Sequence, residues 1–440
     1  MFAWSSRLDL CFLLKPKMGG NMKTILSRRY FPLLPIVIDY NCQRDDVKSK
    51  DMGRMLAALK RPDRIREIRL SGTAAILDKF FDATKFSFPA LETLELGCVH
   101  CNHYIGLTIP TTFLEGPCPS LNLRTLILHR ISLPSISGSL SSTPGLTYLS
   151  LVFDINLNIF PLLVVSHLLS YLQGMPCLRH LELEMKRPIN HLTQPTEHND
   201  IFILSKLTSF HFRGHSSFLD TLIAGFTTPS LREVNIDLSD GDRVFSHGNL
   251  LPSGIPHFPQ LIDGIGEHYH AVQVVFGVRH LQFLLLTHSE YVGHHSPHFK
   301  LRLLTSENSV IQMSSALSAK LTTTKELFVV FLHDPELEEK RVISWPGFLL
   351  HFSSVRALRT CGTHNRDIAS ALYQDGGLNL AVLPALEEIE LCMDSSSTPE
   401  EHAVLEEPAL FKSFVSARQK AGLQVKVVSS DRALRDEVWR

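Results

Sequence analysis

The hydrophobic positions of this chain recur in a six-residue pattern, L-x-x-L-x-L with conservative substitutions. Copies of this hexamer occur at residues 65–70, 91–96, 123–128, 146–151, 178–183, 207–212, 231–236, 355–360 and 386–391. The first seven copies start 23 to 32 residues apart. Recurrence at such a period indicates a stacked array of one supersecondary unit rather than several unrelated domains.

Each hexamer predicts one short β-strand. Because side chains alternate along a strand, the fourth and sixth residues share a buried face, and the third and fifth point to the opposite face. In five copies a proline stands two positions before the first residue, where it ends an incoming helix and starts an extended segment. These prolines are Pro89, Pro144, Pro176, Pro229 and Pro384.

Helices are predicted between the strands. Residues 161–173 begin with Pro161 and stop at Gly174, the usual asymmetry of helix ends. Residues 74–81 and 218–226 carry apolar side chains at helical spacing. We therefore predict an α/β fold, a leucine-rich-repeat-like solenoid (horseshoe) with parallel strands on its inner face, helices outside and irregular repeats.

The repeats lack the Asn or Cys that usually follows at the ninth position. The residues found there include Val99, Asp154, Lys186 and Ser239. The missing ladder predicts uneven curvature and strands that slip in register.

The pattern weakens between residues 237 and 354, where we predict strands at 271–276, 278–286 and 326–332. Towards the end, residues 410–420 predict a helix and residues 424–428 a last strand. The predicted organisation is a leader at residues 1–30, disordered or partly helical, a solenoid at 31–428 with an irregular section at 237–354, and a frayed tail at 429–440.

Composition narrows the possible partners and compartments. Lys and Arg number 43 and Asp and Glu 44, so the formal charge is −1, which argues against a nucleic-acid partner. The hydrophobic content of 44% excludes a globally disordered chain. No apolar run reaches the ~20 residues of a membrane span. The eight scattered cysteines predict reduced thiols and a cytoplasmic or nuclear protein with no membrane partner.

Two groups of residues resemble metal ligands. Cys98, His100, Cys101 and His103 are zinc-type ligands, but a second pair is lacking nearby. The histidines between His288 and His298, with Glu267, His268 and His270, lack the H-E-x-x-H spacing. We favour ordinary loop residues in both groups, and predict no metal and no cofactor.

Motifs of nucleophilic catalysis and phosphate binding are absent from the sequence. There is no G-x-S-x-G elbow and no P-loop. We therefore predict no catalytic residues and a protein that is not an enzyme. An enzyme or zinc-binding protein with a site in residues 237–354 remains an alternative.

The outward positions of the hexamers are the candidate binding residues, because a solenoid usually binds through its inner strand face. Their acidic, imidazole and aromatic groups suit polar recognition of a protein surface. The partner-binding set predicted from these positions is Glu67, Arg69, Thr93, Glu95, Thr125, Tyr148, His180, Glu182, Ser209, His211, Glu233, Asn235, Arg359, Glu388 and Glu390.

Several segments in series resemble fungal, basidiomycete-type F-box-associated leucine-rich-repeat proteins. FPLLPIVIDY and ALKRPDRIREIRL resemble the opening of that group, and WPGFLLHFSSVRAL and VLPALEEIEL its closing part. The resembling segments are residues 31–40, 58–70, 88–96, 207–236, 258–265, 345–358, 382–391 and 414–428.

The resemblance implies an adaptor that holds a protein substrate on its repeats and docks to an SCF ubiquitin ligase through an N-terminal F-box. Residues 1–30 contain no L-P-x-E-[IL] motif, and the F-box is apparently missing. The resemblance therefore implies the substrate-recognition part, with docking to the ligase scaffold in question. A truncated gene product without independent function is a further alternative.

Overall fold

The computed structural model describes the chain in segments. These are residues 8–9, 35–41, 49–84, 88–99, 107–109, 122–132, 143–153, 165–185, 201–214, 216–238, 261, 269–276, 280–286, 299–304, 314–315, 317–331, 344–361, 365–374, 377–378, 381–392 and 411–430. The chain packs as two units, unit 1 (residues 1–231) and unit 2 (residues 232–440).

Unit 1 combines the hexamer strands with helices. Its strands are β1 (Leu8–Asp9), β2 (Ile36–Asn41), β3 (Ile65–Gly72), β4 (Thr93–Cys98), β5 (Leu107–Thr108), β6 (Thr125–His129), β7 (Ile131–Ser132), β8 (Tyr148–Phe153), β9 (His180–Met185), β10 (Phe202–Ile203), β11 (Ser209–Arg213) and β12 (Phe226–Thr227). Its helices are α1 (Ser49–Leu59), α2 (Ala74–Ala83), α3 (Val165–Gln173) and α4 (Ser216–Ala224), with a 3-10 turn at Pro62–Arg64. These described helices precede β3, β4, β9 and β12.

The hexamer strands of unit 1 pair in parallel and in register. β3, β4, β6, β8, β9 and β11 are successive neighbours, and fourth-position residues such as Leu94, Leu126 and Leu149 pair directly. The expected slippage is therefore wrong for these strands, although a register shift is found between β2 and β3 at Ile36/Val37. Pairing of β1 with β2 also gives Leu8–Asp9 an ordered strand inside the predicted leader.

A hydrogen-bonded tight turn precedes the first residue of seven hexamers. The backbone N–H of Leu91 donates to the carbonyl of Phe88 over 3.1 Å, with Pro89 between them. Proline is favoured at this second turn position because its φ is already fixed near −65°. The prolines therefore mark the strand starts as predicted, by shaping a turn. Equivalent hydrogen bonds precede Leu146, Leu178, Leu207, Leu231, Val355 and Leu386.

Backbone carbonyls connect neighbouring repeats where the asparagine ladder is missing. The carbonyl of Arg124, the second residue of its hexamer, accepts N–H groups from Thr147 and Tyr148 at 2.8 and 2.9 Å and the Thr147 hydroxyl at 3.0 Å. The carbonyl of Arg179 receives the same three donors from Thr208 and Ser209. Because buried and edge carbonyls need partners, this ladder holds the stacked strands in register.

The fourth and sixth positions form the core beneath the helices. Phe212 on β11 stacks on Phe218 of α4, with 6.2 Å between ring centroids. α3 packs closely against the end of α4, since a Cβ on Gly225 would lie 2.5 Å from Leu169. Such close packing requires glycine at this position. α2 covers the predicted residues 74–81, and α3 ends at Gln173 as predicted. The helix predicted at 218–226 is wrong at its end, because α4 stops at Ala224 and Phe226 begins β12.

Unit 2 contains ten strands and four helices among the described residues. The strands are β13 (Glu233–Leu238), β14 (Ala271–Phe276), β15 (His280–Leu286), β16 (Phe299–Leu304), β17 (Glu326–Phe331), β18 (Ala357–Cys361), β19 (Tyr373–Gln374), β20 (Gly377–Leu378), β21 (Glu388–Cys392) and β22 (Lys426–Ser430). The helices are α5 (Ser318–Leu321), α6 (Trp345–Leu349), α7 (Asn365–Leu372) and α8 (Lys412–Lys420).

The irregular section reverses the strand order. The neighbours run β13, β16, β15, β14, β17, β18, β21 and β22, and β15 is antiparallel to both β14 and β16. β14 has the sequence AVQVVF and is buried along its whole length. A strand buried on both faces is nearly continuous in apolar residues, so its hexamer pattern disappears. The parallel arrangement predicted throughout is therefore wrong at β15.

Aromatic rings fill the core of unit 2. Phe348 of α6 contacts Phe276, Phe283 and Trp345, with ring centroids 5.9 to 6.5 Å apart. At the far end, the buried guanidinium of Arg418 on α8 donates to the carbonyls of Leu383 and Pro384, the turn before β21. These two hydrogen bonds attach α8 to the sheet, and burial lowers the pKa of Arg418.

Candidate functional site

The register of unit 1 places the predicted binding residues in rows across neighbouring strands. One row contains third-position residues, and its members from β3 to β11 are Glu67, Thr93, Thr125, Tyr148, His180 and Ser209. The next row contains fifth-position residues, and its members are Arg69, Glu95, Ile127, Ser150, Glu182 and His211. A third row contains the residues that follow each hexamer, and its members are Ser71, Gly97, His129, Val152, Glu184 and Arg213. We call these three rows the outward face of unit 1, and the third of them the seventh-position row.

The outward face is not uniformly exposed. Glu67, Ser150 and Ser209 are buried, with 6%, 2% and 5% exposure, whereas Arg69 and His180 are exposed. Two members of the predicted binding set, Glu67 and Ser209, are therefore largely withdrawn from solvent. Crowding by larger neighbours explains it, because strands lie only about 4.8 Å apart and long side chains cover short ones.

At one end of the face, two carboxylates share one guanidinium group. The guanidinium of Arg69 lies 2.5 Å from a carboxylate oxygen of Glu67 and 3.6 Å from one of Glu95. Because arginine presents several donors in a planar fork, it serves both carboxylates at once. Arg213, on the seventh-position row, lies 3.6 Å from Glu184.

Tyr148 and Glu182 form the centre of the face. The phenol of Tyr148 donates to a carboxylate oxygen of Glu182 at 2.9 Å, and the ring of His180 lies 5.9 Å away, centroid to centroid. Burial, the hydrogen bond to Glu182 and the charges of Glu182 and Glu95 raise the pKa of Tyr148 to about 12. The phenol of Tyr148 therefore lies close to the negative charges of Glu182 and Glu95.

Unit 2 carries a closed charge network on its corresponding face. Arg359 on β18 lies 2.8 Å from Glu390 of β21 and 3.5 Å from Glu326 of β17. All three side chains are only 15 to 18% exposed, and His270 lies 3.4 Å from the other oxygen of Glu326. The guanidinium also stands 4.8 Å from the ring centroid of Phe328. Two predicted binding residues, Arg359 and Glu390, are thus occupied with each other.

The remaining predicted residues of unit 2 lie on both sides of this network. Glu233 and Asn235 are half-buried on β13, and Glu388 lies 4.0 Å from Lys426. On β14 the outward Gln273 is 1% exposed, and its Oε1 has no hydrogen-bond partner among the residues that the structure describes. Gln273 pairs across the sheet with Leu284 and Phe328, which are also buried. This middle part of the face is therefore closed.

Metal chemistry finds little support in the part of the chain that the structure describes. Within those residues, no three His, Cys, Asp or Glu side chains are grouped to hold a metal ion. Cys98 is disulfide-bonded, so its sulfur is not the free thiolate that zinc binds, and the prediction of reduced thiols is wrong there. His100, Cys101, His103, Glu267, His268 and the run 288–298 lie outside the described residues.

Membrane insertion by a helix has no candidate among the residues described. None of the helices α1 to α8 has both the length and the apolar character that a bilayer crossing requires.

Sequence reasoning missed two groups of residues near these faces. His270 was considered only as a metal ligand, and Glu326 was not assigned to the face, because both fall in the irregular section, where strand order cannot be read from spacing. The second residues of the hexamers were also missed. Two of them, Arg66 and Glu92, form an ion pair at 3.3 Å at the edge of the sheet where the hexamer strands begin. The recurring basic residues at this position, Arg66, Arg124, Arg179, Arg232 and Arg356, were a signal in the hexamers themselves.

Comparison with known proteins adds distant likenesses only. No family model matches the chain, and no curated protein matches it. A solved leucine-rich repeat-containing protein of Legionella pneumophila is 11% identical, with a TM-score of 0.28, over 86% of this chain and 97% of that one. A leucine-rich-repeat protein of Leptospira interrogans is 12% identical, with a TM-score of 0.25, over 83% and 78%. The α/β, leucine-rich-repeat-like character of each unit therefore rests on the repeat geometry described above.

Proposed function

We propose that this protein is a non-catalytic interaction module that binds a protein partner on the outward face of unit 1. The observation that carries the proposal is that the stacked hexamers hold two rows of outward side chains in register from β4 to β11. Glu95, Tyr148, Glu182 and His211 are half-exposed members of these rows. Rigid strands present such residues at fixed spacing, so little conformational entropy is lost on binding.

The centre of the face has the properties of a binding hot spot. Tyr148 combines a large ring with a polar end, and tyrosine is enriched where interfaces contribute most free energy. Its phenol is already oriented by Glu182, so the pair is preorganised. The predicted residues Thr125 on β6 and His180 on β9 pair with Tyr148 on its two sides, and Thr93 on β4 follows next to Thr125.

Charge reversal tests this proposal. The chain would be expressed with an affinity tag, and the proteins that co-purify would be compared between the wild type and the Glu95→Lys/Glu182→Lys variant. The matched control is Asp78→Lys/Asp82→Lys on α2, where both carboxylates are exposed away from the outward face. We expect a partner that the wild type and the control retain and the first variant loses. Identical partners in all three would contradict the proposal.

Unit 2 is tested separately through Glu233, an acidic member of the predicted partner-binding set. Because Glu233 lies on β13 of unit 2 and not in the rows that contain Glu95 and Glu182, we expect Glu233→Lys alone to change partner retention less than Glu95→Lys/Glu182→Lys. A larger loss with Glu233→Lys would move the proposed binding face to unit 2.

A finer form of the proposal is that the bound partner is a ubiquitin-ligase substrate. The support is the serial resemblance of residues 31–428 to F-box-associated proteins, which hold substrates on their repeats. The test is the half-life of the identified partner with and without this chain, together with co-purification of the ligase scaffold. A shorter half-life is expected, and an unchanged one would leave binding intact but contradict the ligase role.

A further inference from the structure

The outward face of unit 1 carries an excess of negative charge. From β3 to β11 its rows contain four carboxylates and two guanidinium groups, which leaves a net charge of −2 with neutral histidines. Arg69 lies 2.5 Å from Glu67 and 3.6 Å from Glu95, so these two carboxylates share one cation and keep one negative charge between them. Arg213 lies 3.6 Å from Glu184. In the described part of the chain, the partner of Glu182 is the neutral phenol of Tyr148 rather than a cation.

The Tyr148–Glu182 pair has the chemistry that recognises a guanidinium or an ammonium. A carboxylate accepts charge-assisted hydrogen bonds from either cation, and an aromatic face attracts it through the ring quadrupole. Tyr148 and His180 provide two adjacent rings beside the carboxylate. The raised pKa of Tyr148 is consistent with a negative field at this position.

The strand order fixes the distance between this pair and the second carboxylate. Glu95 on β4 and Glu182 on β9 stand in one row with Ile127 and Ser150 between them. Three inter-strand steps correspond to about 14 Å. An extended chain advances about 13 Å in four residues and returns its side chain to the same side at every second residue.

We propose that unit 1 binds an extended protein segment with two basic side chains four residues apart, one at Glu95 and the other between Tyr148 and Glu182. The residue midway between them lies over Ile127 and the buried Ser150, where a small or apolar side chain fits. This inference rests on the proposed function and specifies the chemistry of its partner.

Two synthetic peptides of equal composition and charge test the spacing. The first is labelled Gly-Ser-Arg-Ser-Leu-Ser-Arg-Ser-Gly, and the second, Gly-Ser-Arg-Ser-Leu-Arg-Ser-Ser-Gly, shifts one arginine to the opposite side of an extended chain. Fluorescence anisotropy with the full chain should show tighter binding of the first peptide. Equal affinity for both would overturn the proposed spacing, and equal affinity for a peptide with Glu in place of both Arg would overturn the charge argument.

Conservative variants of the protein test the site. Glu182→Gln should weaken the first peptide roughly tenfold through loss of a charge-assisted contact. Tyr148→Leu should weaken it about threefold by removing the ring. The matched control Asp78→Asn on α2 should bind as the wild type does, and circular dichroism would verify that all variants are folded. Unchanged binding by folded Glu182→Gln would overturn the site.

The outcomes separate this inference from the proposed function. If partner retention depends on Glu95 and Glu182 but neither arginine peptide binds, the face is an interface and the basic-segment assignment is overturned. If the first peptide binds with the expected dependence on Glu182 while no cellular partner depends on these residues, the recognition chemistry is supported and the proposed function is contradicted.

Discussion

The two units use the same hexamer but leave different faces. In unit 1 the outward rows are polar and largely accessible, and Tyr148 and Glu182 meet at their centre. In unit 2 the equivalent face is closed around Gln273 and Phe328, and Glu326 and Glu390 share the guanidinium of Arg359. The comparison shows that the repeat fixes which side chains point outward, whereas neighbouring strands decide whether they remain available for binding.

The inserted antiparallel strand causes the difference. β15 places Leu284 next to Gln273, and β17 places Phe328 on its other side. An apolar outward row has no favourable exposure to water, so it is stable only when covered. In the described strands of unit 1 the outward rows carry mostly polar side chains such as Thr125, Tyr148 and Glu182, with Ile127 among them as an apolar residue.

The largest expected effect is on the closed core of unit 2. Phe348→Ala removes a ring that contacts Phe276, Phe283 and Trp345, and should lower the free energy of unfolding of unit 2 by about 3–5 kcal/mol. Urea unfolding followed by tryptophan fluorescence measures it. Leu350→Ala in the same turn is the control, because Leu350 is 49% exposed and should change stability by less than about 0.5 kcal/mol. Equal losses of stability in Phe348→Ala and Leu350→Ala would contradict the difference expected between the closed core and the exposed surface of unit 2.

The next effect concerns the charge networks. Arg359→Met leaves Glu326 and Glu390 without their shared cation, and should cost about 2–4 kcal/mol because both carboxylates are mostly buried. Arg66→Met, whose pair with Glu92 is 57% and 45% exposed, should cost less than about 0.5 kcal/mol. Replacing Arg359, Glu326 and Glu390 together by Met should recover most of the loss. A triple variant no more stable than Arg359→Met would contradict the electrostatic explanation.

A smaller effect is expected from the helix packing of unit 1. Gly225→Ala brings a Cβ within 2.5 Å of Leu169, and should lower the free energy of unfolding by about 1–2 kcal/mol. Gly53→Ala in α1 meets nothing within 4 Å and should raise stability by up to about 1 kcal/mol through helix propensity. Thermal denaturation of both variants measures the pair, and the same sign for both would show that Leu169 yields without cost.

The smallest effect is a titration within the outward face. Tyr148 has a pKa of about 12 in the folded chain, above the ordinary value of 10.0. Its contribution to stability is therefore fully present below pH 10 and is lost as the pH rises towards 12. Glu182→Gln should lower the pKa of Tyr148, which ¹³C-tyrosine NMR would follow, with Tyr148→Phe assigning the resonance. An unchanged titration would show that Glu182 does not set this environment.

The sequence by itself determined the hexamer strands, their buried leucines and their outward positions. The reason is that side-chain alternation along a strand is a local property, which a segment of six residues already contains. The same alternation also places Tyr148, Glu182 and Glu95 on one face of the sheet. Tertiary structure alone decided that Ser150 and Ser209 are buried, that β15 runs antiparallel between β14 and β16, and that Arg359 joins Glu326 to Glu390. These features depend on which strands become neighbours, and that choice is made by long-range packing rather than by the pattern of any one segment.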